Sequence, residues 1–147
     1  MNHRILISNR GDELWERVQA YAERSSWSGG RYLAEDMRHN LSDWERAVVL
    51  LCGKEIAGYC AVLKRDCVDG VPYTPYIGYV FVGEAFRGRG FSGALVRGAE
   101  RYLKGIGFRE AYIVSHHDNL YEKYGYEHVD TKPAYWGEMQ KIYRHVF

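Results

Sequence analysis

The sequence predicts an α+β domain with two N-terminal helices, a central antiparallel sheet, and one strand–loop–helix–strand crossover. Three observations carry that prediction. Apolar residues recur at helical spacing in two early segments. Apolar runs of strand length, joined by short turns, fill the middle of the chain. A glycine-rich, basic loop then connects a strand to an amphipathic helix. The 147 residues suit a single domain over 1–147.

Each element has its own justification. Ile5-Leu6-Ile7 reads as a short strand. Asp12-Glu13 opens a helical pattern with Leu14, Val18, Tyr21 and Ala22 on one face, and Ser25 through Gly30 break it with turn chemistry. Leu33, Met37 and Leu41 recur every four residues and predict a second short helix. Ala47 through Cys52 is a continuous apolar run, as in a strand covered on both faces. Gly53-Lys54-Glu55 turns it back into Ile56 through Leu63, a hairpin, and a polar loop leads to a further strand at Tyr76 through Val82. Phe91, Leu95, Ala99, Tyr102, Leu103 and Ile106 form one face of a long helix, opposite Arg97, Glu100, Arg101 and Lys104. Glu100 and Lys104 form an i,i+4 pair of favourable order, and Gly105 and Gly107 end the helix. Ala111 through Val114 is the next strand, Asn119 through Tyr124 a short helical piece, and Met139 through Phe147 a final strand.

Composition excludes several function classes. Hydrophobic residues at 46% and charged residues at 27% describe an ordinary globule, not a disordered tail. Twenty Lys plus Arg against nineteen Asp plus Glu leave +1, with no basic run, so no nucleic-acid partner is expected. No apolar stretch approaches the ~20 residues that cross a bilayer, so no membrane is expected either. The apolar segment at Ile5–Ile7 is too short for a signal-peptide core, and the chain reads as mature protein. Three cysteines (Cys52, Cys60, Cys67) without CxxC spacing argue against a disulfide framework or a structural metal, and place the protein in the cytoplasm.

The chemistry concentrates between Glu84 and Gly93. A helix begins with main-chain N–H groups that have no intrahelical partner, and its dipole puts partial positive charge there. Glycines let those groups approach an anion closely, and Arg87 and Arg89 add full charge. This combination suits a pyrophosphate. A P-loop needs Lys and Ser or Thr after the last glycine, but Phe91 follows Gly90. Gly88-Arg89-Gly90-Phe91-Ser92-Gly93 satisfies GxGxxG, yet it lies too late in the chain for a dinucleotide domain, which places it after the first strand.

Arg87-Gly88-Arg89-Gly90-Phe91-Ser92 resembles the Arg/Gln-x-x-Gly-x-Gly/Ala motif of the GCN5-related N-acetyltransferase (GNAT) family, and Leu120-Tyr121-Glu122-Lys123-Tyr124-Gly125-Tyr126 resembles its downstream segment. The resemblance implies an acyl-CoA N-acyltransferase fold, a mixed central sheet with helices on both faces. It implies an acetyl-CoA-dependent N-acetyltransferase that moves an acetyl group to a primary amine by direct transfer in a ternary complex. The alternative is a non-catalytic acyl-CoA sensor. Carried over, Arg87, Gly88, Arg89, Gly90, Phe91, Ser92 and Gly93 would cradle the pyrophosphate, and Val80, Phe81 and Val82 would bind the pantetheine arm by strand-like pairing. Tyr121 matches the tyrosine that protonates the departing thiolate. The family's asparagine seven residues before that tyrosine falls here on Val114, and Asn119 is the nearest asparagine that could serve as a coenzyme ligand. The Tyr76–Val82 strand carries no acid, so His117, just past the neighbouring strand, is the candidate base, with His116 and Glu84 behind it. On the acceptor side stand Trp27, Glu35, Asp36, Tyr73, Tyr76, Tyr79, Tyr135 and Trp136. The acceptor would be a small-molecule or peptide amine, and since relatives often pair, a homodimer is left open.

Overall fold

The computed structural model describes residues 2–147. In chain order it comprises β1 (His3–Ile7), α1 (Glu13–Glu23), α2 (Gly29–His39), β2 (Arg46–Cys52), β3 (Glu55–Leu63), β4 (Tyr76–Val82), α3 (Phe91–Gly105), β5 (Glu110–Ser115), β6 (Glu127–Pro133) and β7 (Met139–Val146). Short 3-10 turns lie at Glu84–Phe86 and Glu122–Tyr124. The strands form one sheet in the order β1-β2-β3-β4-β5-β7-β6, antiparallel throughout except between β4 and β5. The single parallel pair makes the sheet mixed.

Period-two alternation explains why the central strands are apolar throughout. Ala47, Val49 and Leu51 of β2 and Tyr59 and Ala61 of β3 face α1 and α2, where Val18, Ala22, Leu33 and Met37 close the layer. Val48, Leu50, Cys60 and Val62 face the other way, onto Leu95, Val96, Ala99 and Leu103 of α3. Truncating any of the fully buried leucines to alanine would cost about 2–5 kcal/mol.

Four expectations change. The Gly29 and Gly30 that looked like helix breakers lie inside the first turn of α2. The helical piece expected at Asn119–Tyr124 shrinks to a 3-10 turn at Glu122–Tyr124, because Asn119 (φ 62°) is left-handed and Gly125 (φ 92°) stops the turn. Glu100, placed on the solvent face beside Lys104, is instead buried. Its carboxylate accepts from Arg97 at 2.7 Å and from the Tyr126 hydroxyl at 2.7 Å, with His145 Nδ1 at 3.0 Å. Ile106, placed on the buried face, is exposed just past the helix end. A seventh strand, β6, was not expected at all. Its residues, Glu-His-Val-Asp-Thr-Lys-Pro, lack apolar alternation, and pairing with β7 holds them as a charged edge. No described helix is long and apolar enough to cross a membrane.

Candidate active site

The functional region is the gap between β4 and β5. These strands pair at one register, Tyr76 with Tyr112, where the Tyr112 N–H donates to Pro75 O at 2.9 Å. Beyond it they part. The cause is a bulge in β4: Tyr59 faces Phe81 and Ala61 faces Gly78, so Cys60 alone spans Tyr79 and Val80. Tyr79 takes a left-handed conformation (φ 55°), which costs a non-glycine residue about 1–2 kcal/mol. Its hydroxyl donates to Asp36 Oδ2 at 2.6 Å, an anchor that offsets this cost. Burial and that carboxylate push the Tyr79 hydroxyl well above the ordinary tyrosine range.

The bulge leaves main-chain groups free. The Gly83 N–H reaches Ala57 O on β3 at 2.7 Å. Alternation then turns the N–H and C=O groups of Val82 and Val80 toward the gap, where the Val82 carbonyl is met by Arg87 and the others are open. Phe81 pairs with Tyr59 of β3 instead, and its ring lies on the α1/α2 face, stacked against Trp27 at 6.0 Å with Arg87 over it at 5.7 Å.

At the end of β4 the chain turns through Gly88 (φ 81°) and Gly90 (φ 75°) into α3. Both glycines are in the left-handed region, and the tight entry needs them. Among the described residues, the N–H groups of Gly88, Gly90, Phe91, Ser92 and Gly93 donate to no protein acceptor. The first turn of α3 contains no acidic residue. The result is a set of unpaired donors at a helix mouth, the physical requirement for a pyrophosphate. Arg87 donates from Nε to Val82 O at 3.0 Å, and Arg89 sits over the Phe86 ring at 5.7 Å. Ser92 Oγ is 3.0 Å from the Tyr124 hydroxyl, and a Cβ on Gly93 would meet the Tyr124 ring at 3.0 Å. Tyr124, which sequence reasoning passed over, thus packs on the first turn of α3, and the small residues at 92 and 93 were its signal.

Tyr121 lies on the α3 side of the sheet, 8% exposed. Its hydroxyl makes no hydrogen bond to a described residue, and burial raises it above its usual range, so it stays protonated at neutral pH. His117 and His116 are exposed on the loop after β5, rings 4.4 Å apart. The His117 N–H donates to Ser115 Oγ and its carbonyl accepts from Tyr143, but nothing ties its ring to Tyr121 or β4. Asn119 is exposed on the same loop, and Glu84 is exposed in the turn after β4.

The α1/α2 side of the gap holds the aromatic residues expected at the acceptor. Tyr76 and Tyr79 come from β4, and Tyr73 stacks on Tyr112 at 4.8 Å. Tyr135 donates to Asp66 O at 3.0 Å. Trp136 is exposed, and Glu35 turns outward to Arg38 and His39. A hollow of about 210 Å³ between Tyr21, Arg24, Ser25, Phe81 and Gly83 adjoins the end of β4. On this side too, apart from that hollow, lies Asp66 against Gly78 of β4, a carboxylate sequence reasoning missed because it lies in an irregular loop, distant in sequence from every motif. No group of three or more His, Cys, Asp or Glu side chains among the described residues could hold a metal.

A model of the Acetyltransferase (GNAT) family matches residues 12–126, which includes β4, the glycine turn, α3 and Tyr121. The chain belongs to the GNAT family. As a GNAT protein it is an acetyl-CoA-dependent N-acetyltransferase. Solved GNAT structures share the fold. A family acetyltransferase from Elizabethkingia anophelis with acetyl-CoA bound superposes with TM-score 0.68 at 16% identity, over 99% of each chain. The aminoglycoside 6'-N-acetyltransferase of Enterococcus faecium gives 0.73 at 16% identity, over 97% of this chain and 96% of its own. An acyl-CoA N-acyltransferase from Pseudomonas aeruginosa gives 0.71 at 16%, over 99% and 100%. No curated protein matches the sequence.

Proposed function

We propose that this GNAT enzyme moves the acetyl group of acetyl-CoA directly onto a primary amine bound beside it in the β4–β5 gap. The observation that carries the reading is the set of unpaired amides of Gly88, Gly90, Phe91, Ser92 and Gly93 at the mouth of α3. They would hold the pyrophosphate, with Arg87 and Arg89 adding charge around it. The N–H and C=O groups of Val80 and the N–H of Val82 would pair with the pantetheine amides, Phe81 would support that strand from the far face, and Asn119 would close the outer end. An N–H on the same strand can polarise the thioester carbonyl. As the C–S bond breaks, the Tyr121 hydroxyl gives its proton to the sulfur.

The acceptor is a small-molecule or peptide amine. The likeness to an aminoglycoside 6'-N-acetyltransferase and the aromatic lining here both favour a cationic acceptor, held by ring faces. The free cysteines favour the reducing cytoplasm. The test is thiol release from acetyl-CoA across a panel of amines, alongside calorimetry with coenzyme A. Acetylation of at least one amine supports the reading. Coenzyme A binding with no amine acetylated would refute it in favour of a non-catalytic acyl-CoA sensor.

A further inference from the structure

We propose that Asp66, on the loop between β3 and β4, binds the acceptor's ammonium group and takes its proton before acetyl transfer. This assignment rests on the transfer reading above and identifies its base.

The position of the carboxylate comes first. A Cβ built on Gly78 would lie 2.8 Å from Asp66 Oδ2, so the carboxylate rests directly on β4 where a side chain is missing. Gly78 borders the bulge that parts β4 from β5. Asp66 therefore sits on the α1/α2 side of the gap, and Tyr121 belongs to the α3 side. The two are near enough that the Asp66 charge is among the influences raising the Tyr121 hydroxyl. A thioester in the gap would have a carboxylate on one side for the incoming nitrogen and a phenol on the other for the departing sulfur.

The unused hydrogen-bonding capacity comes next. Oδ1 accepts from the Cys67 N–H at 2.7 Å, and the carboxylate also takes a hydrogen bond from the Cys67 thiol, which leaves room for a further donor. Close by, the Tyr76 hydroxyl is buried and is the one side-chain polar atom, among the described residues, that is fully buried without a partner. Asp66 is the leading charge acting on it. An ammonium has three donors and no acceptor, which suits a carboxylate with acceptor capacity to spare.

Charge agrees with this. The groups facing Asp66 are Asp36 from α2, Tyr76 and Tyr79 from β4, Cys67 beside it, and Tyr135 from the β6–β7 turn. The Cys67 thiol is pushed up to about 12 and stays neutral. No basic side chain is among the influences on Asp66. Burial raises its carboxyl above the ordinary 3.8, and Asp36 adds to the shift, which makes it a stronger base than a surface carboxylate. His117 is exposed, with its ring against His116 rather than on the gap.

The protons balance as follows. The ammonium gives one proton to Asp66, and the freed lone pair forms the C–N bond. The C–S bond breaks with its electron pair going to sulfur, which takes the Tyr121 proton. The second proton leaves nitrogen as the amide forms and restores Tyr121, while Asp66 releases its proton to solvent. No further reactant is needed.

The test is Asp66→Asn, which keeps the shape and the acceptor for Cys67. With the best acceptor among 1,4-diaminobutane, kanamycin and a lysine peptide, kcat/KM at neutral pH should fall roughly 10²–10³-fold. The deficit should shrink as pH rises toward the amine's own pKa, while affinity for coenzyme A stays unchanged. A second readout needs no turnover. A folded-state carboxyl raised above 3.8 makes stability fall as pH rises from that value through the raised one, because the folded chain holds the proton longer. Asp66→Asn removes that fall, so its Tm should equal or exceed wild type at neutral pH, with the gap closing toward low pH. A variant with wild-type kcat/KM and pH profile would overturn the proposal, as would loss of the acidic limb in His117→Ala but not in Asp66→Asn. If wild type acetylates none of the panel, the transfer reading fails, and the base with it.

Discussion

Gly90→Ala tests the anion cradle through backbone conformation alone. Gly90 precedes the first residue of α3 with φ 75°. A Cβ there meets no atom within 4 Å, so alanine introduces no clash with the protein. The whole effect is the cost of an L-residue in the left-handed region, about 1–2 kcal/mol. That cost must appear in one of two places. If the turn holds its shape, the folded state carries the strain, and Tm falls by about 2–8 °C for a domain of this size. If the turn relaxes, the amides of Gly88 through Gly93 no longer converge, and coenzyme A must drive them back. Its Kd then rises by roughly 5–30-fold for the same energy. Calorimetry with coenzyme A and a thermal melt on the same sample measure both. Gly105→Ala is the control, since its Cβ also meets nothing and its φ is not left-handed. It should leave Kd unchanged and raise stability by about 0.4–1 kcal/mol. If Gly90→Ala changes neither Kd nor Tm, the left-handed entry into α3 is not what shapes the site, and the cradle argument fails.

Two further variants probe the acid and the scaffold. Tyr121→Phe should lower kcat by roughly 10²-fold with coenzyme A affinity unchanged, measured by steady-state thiol release and calorimetry. An unaltered kcat would remove the acid. Gly30→Ala puts a Cβ 2.2 Å from Ala22 O, a main-chain atom that cannot swing away, and 2.7 Å from the Tyr59 hydroxyl. It should destabilise by about 1–3 kcal/mol in a urea melt, because α1 and α2 would have to separate.

The parts legible in the sequence were those encoded locally. The run Ala47 through Cys52 is apolar at every position because both faces of β2 are covered, and that can be read without a structure. The turn before α3 could be read because positive φ demands glycine, and glycines are visible. Glu100 could not be placed from helical spacing. Its carboxylate turns inward because Tyr126 and His145, 26 and 45 residues away, supply partners for it. β6 was hidden for a related reason: an edge strand takes its order from its neighbour's hydrogen bonds, not from its own side chains. Asp66 combines both obstacles. Nothing in Lys64-Arg65-Asp66-Cys67 distinguishes a solvated acid from a half-buried one, and the glycine that receives it is twelve residues further on.

The bulge in β4 connects these features. A regular strand would keep β4 in register with β5 and seal the sheet, leaving neither free amides at Val80 and Val82 nor a path between its faces. One extra residue, Tyr79, ends the pairing after Tyr76. The same irregularity brings Gly78 and Tyr79 together at the edge of the gap, one admitting Asp66 against the strand and the other tied to Asp36. The strained residue is thus anchored by α2, an element of the acceptor side, so the opening depends on the layer that would bind the amine. Tyr79→Phe would keep the ring against Trp27 and lose the hydroxyl bond that offsets the left-handed strain. Its effects should therefore extend to the position of Asp66 as well as to Asp36, two acids on different elements that share one bulge.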